Sequence, residues 1–511
     1  MTTQDPTTPV NPLQEREDRL ATLAEIRARG VHPYPEKFQQ THHSIDCTNV
    51  SEDQLFDLED LKARKPATYA LAGRIMMQRA HGKLSFAILQ DEPGRIQLAF
   101  MQDMLGEETY SFIKDCVHLG DWVGVQGDLF RTKHGEITLL VTKFTFLGKA
   151  LRPMPDKFHG LENKETKYRQ RYLDLIANEE TRERFRFRSN FLRSLREFYW
   201  KENFMEVETP TFLETATGAA ANPYRTHNDA LDIDLVLRIS HELPLKKLIV
   251  GGYEKIFEIG KVFRNEGIDP SHLPEHTHIE HYAAFWNFED NIAFTERMFD
   301  HIFEDLQLDR KRPIRDKEGQ ERIIDFSTPW ARVDYIKLFE NDGFPILSYT
   351  KPEEVLEDLK KRNITIEGAH LMGLTTLLDH VYKKLYRPHI INPTVVFNYP
   401  TAMQPLARKS DKDGRTVDQF QLVVNGWEVV KAYSELVDPI DQMERFVDQA
   451  SAKEAGDSEA MEMEEDYITA MEYGMPPISG WGMGVDRITT LLTGQENLRD
   501  LVFFPMMRPK D

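Results

Sequence analysis

The sequence has 511 residues, 40% of them hydrophobic, and a formal net charge of −20. A chain of that length buries more than one core and divides into two or more domains. It contains no run of about 18 apolar residues that could span a bilayer. Its polar, acidic start, MTTQDPTTPVNPLQERED, lacks the basic-then-apolar pattern of a secretory leader, so the expected compartment is the cytoplasm. Cys47 and Cys116 are too few for a disulfide framework or a cysteine zinc site.

The negative total argues against a polyanionic partner, since nucleic-acid binding draws affinity from neutralised phosphates. The distribution qualifies that. Between Ser451 and Gly474, Glu454, Asp457, Glu459, Glu462, Glu464, Glu465, Asp466 and Glu472 face the single basic residue Lys453. Between Lys149 and Asp174, seven basic residues including Lys149, Arg169 and Arg171 face four acidic ones, which leaves open either a local basic surface or a solvated linker.

In chain order, residues 1–65 hold a polar tip and an amphipathic helix over 12–29, with Leu13, Leu20, Leu23 and Ile26 at helical spacing. Residues 66–150 change to short β-rich runs (YALAGRIMM, LSFAILQD, RIQLAF, WVGVQGDLF, ITLLVTKFTFL) broken by HGK, DEPG and KHGE turns. Five such strands predict a small barrel of the oligonucleotide-binding type, the OB-fold. Residues 151–180 read as a linker, two prolines followed by a charged helix start. A larger domain, 181–511, starts with a helix carrying Phe187, Phe191, Leu195 and Phe198 on one face and then the strand MEVETP. A helical insertion is expected over about 291–390, followed by a β-rich return (TVVFNY, FQLVVNGWEVV). Irregular alternation of strands and helices predicts an α+β fold, a mainly antiparallel sheet flanked by helices.

Two segments carry chemistry. Phe263-Arg264-Asn265-Glu266-Gly267 sets an arginine and a glutamate beside a loop, suited to gripping a phosphate and accepting from an amine, although a surface ion pair has the same pattern. Gly480-Trp481-Gly482-Met483-Gly484-Val485-Asp486-Arg487 alternates glycine with apolar residues before a helix, so a nucleotide can lie on the strand with Arg487 reaching it. The order excludes a P-loop and a G-x-G-x-x-G dinucleotide site.

MEVETP, FRNEG and GWGMGVDR resemble, in order, the three signature motifs of class II aminoacyl-tRNA synthetases. TGAAANPY, HELPLKKLIVGG, YSELVDPIDQ and LRDLVFFPMMRP extend the likeness to the lysyl branch of that class, one with an N-terminal OB-fold anticodon-binding domain. The resemblance implies a lysine--tRNA ligase reaction using ATP, lysine, tRNA(Lys) and Mg²⁺, by a homodimer built on the segment 181–210. It implies ATP contacts from Arg264, Glu266, His272, His276 and Arg487, with Arg264, Glu266 and Arg487 catalytic, and a magnesium ligand in Glu428. It implies lysine contacts from Glu242, Glu280, Tyr282, Tyr433 and Glu435, and anticodon contacts from Arg74, Phe86, Gln97 and Glu136.

Three positions depart from the family pattern. Gln421 stands where a second metal carboxylate is usual, Lys431 where asparagine is usual, and His276 where an aromatic ring stacks on adenine. Lys431 is expected to turn toward phosphate or an acidic neighbour, partly replacing a metal. Among His272, His276, His278 and His281, the strand period sets 276 and 278 on the face of Glu280 and 281 on the other, favouring substrate-site histidines over a zinc cluster. Two rival readings are a synthetase paralogue that binds tRNA or protein without full aminoacylation, and a ligase that lysylates a protein.

Overall fold

The structure is a computed structural model that describes residues 12–64, 68–154, 161–219, 221–315, 320–454 and 464–509. Its contacts separate into two units, residues 1–162 and 163–511.

In the first unit the strands Tyr69–His81, Leu84–Gln90, Arg95–Met101, Trp122–Arg131 and Ile137–Gly148 close into a barrel. Arg95–Met101 and Ile137–Gly148 run parallel, and the other neighbours run antiparallel. Alternate residues turn inward, and Leu71, Leu89, Leu98, Val125 and Leu139 are fully buried. The helix Pro12–Ala28 forms as expected: Ile26 joins the barrel core and the buried Arg19 donates to the Leu119 and Ala150 carbonyls, while Leu13 is 73% exposed. Lys149 belongs to no basic surface: its ammonium is buried 2.8 Å from Asp121 Oδ2 and also donates to the Cys116 carbonyl.

The second unit is built on an eight-stranded sheet. Its order is Ala331–Asp334, Thr394–Pro400, Thr416–Val424, Trp427–Ser434, Ile478–Gly484, Glu275–Ala284, Lys255–Phe263 and Met205–Glu206. Only the two edge strands pair in parallel, so the sheet is mainly antiparallel and the fold is α+β. The period of two divides Glu275–Ala284 between two environments. Ile279 and Ala283 join Phe191, Leu195 and Phe198 of helix Glu179–Lys201 in one core, each fully buried side chain of that size contributing about 1.5–3 kcal/mol. His278, Glu280 and Tyr282 face the other way.

One stretch differs from the sequence reading. The expected helical run from about 291 is interrupted by the hairpin Lys311–Arg315 with Glu321–Asp325 and by the strand Ala331–Asp334. The charges of these segments conceal a period-two signal of which Ile314 and Ile324 are the buried part. The stretch 151–180 holds the helices Lys164–Arg169 and Arg171–Ala177, where Arg171 is buried and paired with Asp174 at 2.6 Å. In the acidic stretch, Asp457, Glu459 and Glu462 lie outside the described residues, whereas Glu464 accepts from Thr217 and pairs with Lys247.

Candidate active site

The second face of the sheet floors a cavity of about 620 Å³. It is lined by Glu242, Arg264, Glu266, His272, His276, His278, Glu280, Tyr282, Gln421, Glu428, Lys431, Tyr433 and Arg487 among others. All the residues expected to bind ATP, lysine or metal therefore lie on one cavity, except Glu435, which sits beneath the floor.

One end is a buried carboxylate and tyrosine cluster. Glu242 opens the helix Glu242–Val250, and Lys246, one turn on, returns to it with Nζ 2.6 Å from Oε1. The same ammonium is 2.5 Å from Glu435 Oε2 and within 6 Å of the rings of Tyr282, Tyr433 and Tyr467. Tyr433 donates to Glu242 Oε1 at 2.6 Å. Burial works against the charge on Lys246, but Glu242 and Glu435 outweigh it and hold the ammonium above its ordinary range, while burial pushes the Glu435 carboxyl up. Lys246 escaped the sequence reading, although its i,i+4 relation to Glu242 in ELPLKK is a helix ion-pair signal.

Gly480 and Gly482 are bare where neighbouring side chains crowd the strand. A Cβ at Gly480 would meet Glu435 Oε1 at 2.2 Å and Tyr282 Cε1 at 2.4 Å, and one at Gly482 would meet His278 Cε1 at 2.9 Å. The bare strand makes room for neighbouring side chains. Gly482 lies in one cross-strand row with Gln421, Lys431, Glu280 and Glu258.

Glu280 is ringed by donors. His278 Nδ1 is 3.1 Å from Oε1, the His241 backbone N–H donates at 3.0 Å, and His241 Nδ1 is 3.5 Å away. Burial alone would raise this carboxyl, yet the donors on His241 and His278 hold it well below its usual range. Burial pushes His276 down to about 2, helped by the nearby charges of Arg264, His278 and Arg487, so its ring is neutral at pH 7. His281 faces the opposite side, as the strand period predicts, against Tyr199 and Asn291 at 2.8 Å each.

The other end is cationic. Arg264 follows the strand Lys255–Phe263 and donates to the Ile239 carbonyl, while Arg487 in the first turn of helix Val485–Leu492 donates to the Glu428 carbonyl at 3.0 Å. Glu266 is exposed, and His272 is held by Asp269 at 2.7 Å. Gln421 is buried, and its Oε1 accepts from Tyr399 Oη at 2.8 Å. Lys431 turns toward no acidic neighbour: it forms no ion pair with a described residue, and its ammonium lies 6.0 Å over the Tyr433 ring.

In the barrel, register sets Phe86 and Gln97 on one face, with Gln97 donating to Thr138 Oγ1 at 2.9 Å, and Glu136 is exposed just before the strand Ile137–Gly148. Phe86 is half-buried against the cluster of Leu61, Met104 and Phe130. Arg74 donates to the Gly120 carbonyl and covers the Trp122 ring at 4.9 Å.

Residues 163–508 match the family described as tRNA synthetases class II (D, K and N), and residues 69–147 match the OB-fold nucleic acid binding domain. A lysine--tRNA ligase of Thermosipho africanus is 44% identical over 500 residues, covering 97% of this chain and 96% of that protein. Those of Carboxydothermus hydrogenoformans and Lactococcus lactis are 42% and 40% identical, over 96% of this chain and 98% and 97% of theirs. Signature motifs, barrel, antiparallel sheet and relatives agree, and the chain belongs to the class II tRNA synthetases, within them to the lysine--tRNA ligases.

Proposed function

We propose that this chain charges tRNA(Lys) in the cytoplasm in two steps on the one cavity. The α-carboxylate of lysine attacks the α-phosphorus of ATP in line and diphosphate leaves. A terminal ribose hydroxyl of the tRNA then attacks the adenylate carbonyl and AMP leaves. The first step needs positioning and charge neutralisation more than a base. The observation that carries this reading is the presence of an arginine pair, Arg264 and Arg487, and a carboxylate and tyrosine cluster at opposite ends of the same 620 Å³ cavity.

Arg264 grips the α-phosphate and carboxylate, Glu266 takes the adenine amine, and His272 and Arg487 hold the outer phosphates. His276, neutral, packs against the base. Glu242, Glu280, Tyr282, Tyr433 and Glu435 receive lysine, Glu435 acting from below through Lys246. Glu428 would hold magnesium, and a single carboxylate with substrate phosphates and water suits that ion. Magnesium, when bound, neutralises phosphate charge. Gln421 contributes a neutral amide fixed by Tyr399. Phe86, Gln97, Glu136 and Arg74 offer the anticodon a ring, base-edge partners and a cation. The protein acts as a homodimer through helix Glu179–Lys201 and the strand after it.

The test is diphosphate exchange with each of the twenty amino acids, followed by transfer to tRNA(Lys). Lysine alone is expected to support exchange and transfer. Absence of lysine-dependent exchange would sink the proposal and favour a tRNA-binding paralogue, a reading to which the internal ammonium of Lys246 and the added charge of Lys431 lend support.

A further inference from the structure

His241 is fully buried, yet neither ring nitrogen has a hydrogen-bond partner; the nearest carboxylate oxygens are Glu280 Oε1, 3.5 Å from Nδ1, and Glu258 Oε1, 3.7 Å from Nε2. A buried imidazole left in that state costs about 1–3 kcal/mol. Across from it, in a parallel plane with ring centroids 6.2 Å apart, stands His278. Glu280 lies between them, and one donor atom from each of His241, His278 and Glu280 falls within 4.8 Å of the other two.

We infer that His241, His278 and Glu280 form a binding site for a zinc-class divalent ion in the wall of the amino-acid end of the cavity. Two imidazoles and a carboxylate are a catalytic-type zinc set, three protein ligands with the fourth position open. In a tetrahedral N/O site with bonds of about 2.0–2.1 Å the ligand atoms stand about 3.4 Å apart. The distances from Glu280 Oε1 to His278 Nδ1, 3.1 Å, and to His241 Nδ1, 3.5 Å, bracket that edge. The scaffold is rigid on both sides, since Glu280 and His278 share one central strand and His241 precedes the first residue of helix Glu242–Val250.

Glu258 supplies the outer support. It is itself held by Arg238 and Thr209, and it faces His241 Nε2, so it can orient that ring while Nδ1 binds the ion. The set differs from the one expected for magnesium, in which Glu428 sits at the phosphate end. His278, Glu280 and Tyr282 line the cavity, so a fourth ligand would come from that side, as water or as a neutral primary amine of the amino acid. This inference rests on the reading of the cavity as an amino-acid site, and its test is separable from that reading.

Untagged full-length protein is stripped with chelator and titrated with zinc chloride and, in parallel, cobalt chloride. One tightly held equivalent per chain is expected, with the visible bands of a four-coordinate cobalt site. His278→Gln is expected to weaken zinc binding at least about tenfold, and Glu428→Gln to leave it unchanged. Zinc-edge absorption on the unsubstituted protein needs no variant to fold, and it is expected to show two imidazoles and no sulfur. No stoichiometric zinc, fewer than two imidazoles, or equal binding by a folded His278→Gln would overturn the site. Zinc bound as stated without lysine exchange would leave the site standing and remove the activity. Full exchange in magnesium with no zinc taken up would do the reverse.

Discussion

Lys246 Nζ lies 2.5 Å from Glu435 Oε2, and neither side chain is exposed. An ammonium of the protein thus already sits in the carboxylate cluster that the family resemblance assigns to the substrate. Glu242 and Glu435 both turn to that one ammonium, and burial pushes the Glu435 carboxyl up. Removing the lysine would leave the buried Glu242 and Glu435 without the partner they share.

The first prediction follows from that asymmetry. Breaking a buried pair from one side costs about 3–5 kcal/mol, whereas removing both charges is nearly neutral. Lys246→Met is expected to lower unfolding stability by about that amount in urea titrations, and Lys246→Met with Glu435→Gln to recover most of it. A single variant as stable as the parent would contradict the structural role given to the pair.

The second concerns Gln421. Its oxygen is occupied by the Tyr399 hydroxyl at 2.8 Å, so it brings no charge to a cation. Gln421→Glu is expected to add a second carboxylate beside Glu428 and make lysine-dependent diphosphate exchange more steeply dependent on magnesium. Superimposable magnesium titrations of variant and parent would reject the idea.

How much of this was legible in the sequence depends on the range of each interaction. The facing of His278, Glu280 and Tyr282 together, with His281 opposed, needs only a strand's period and was readable in advance. The pairing of Lys246 with Glu242 was equally local but hidden in a run that reads as an ordinary helix. Its second partner, Glu435, is brought close by sheet pairing across Gly480, which no local pattern reports. The hairpin Lys311–Arg315 with Glu321–Asp325 was missed because short charged strands carry little apolar alternation. His241 was not singled out in the sequence, and its stranded nitrogens become visible only once Glu280 stands beside it.

A third prediction addresses Lys431. Its side chain enters the cavity in the same cross-strand row as Glu280, with only Gly482 between the two strands, and it has no ion-pair partner among the described residues. Two like charges about 6 Å apart repel by about 3 kcal/mol at an effective dielectric near 20, and solvent in an open cavity reduces this to about half. Lys431→Asn is expected to lower the KM for lysine about tenfold in diphosphate exchange, with little change in kcat. An unchanged or higher KM would mean that this ammonium serves the phosphates.

The last prediction lies in the barrel unit. His118 Nδ1 is 2.6 Å from Lys149 Nζ, so the neutral ring accepts from the ammonium, and Lys149 is also bonded to Asp121. Burial, then the charge of Lys149, pushes His118 down to about 4. The unfolded chain binds this proton near pH 6.5, well before the folded one does. Its contribution is therefore complete above about pH 6.5 and is lost as pH falls toward 4. The full shift corresponds to about 3 kcal/mol, and partial exposure of the ring reduces that to about 2 kcal/mol. Urea titrations at steps between pH 7 and pH 4 are expected to show parent stability falling by that much more than His118→Gln stability, since every other titrating group is common to both. Parallel acid limbs would show that the proton on His118 has no part in holding Lys149 and Asp121 together.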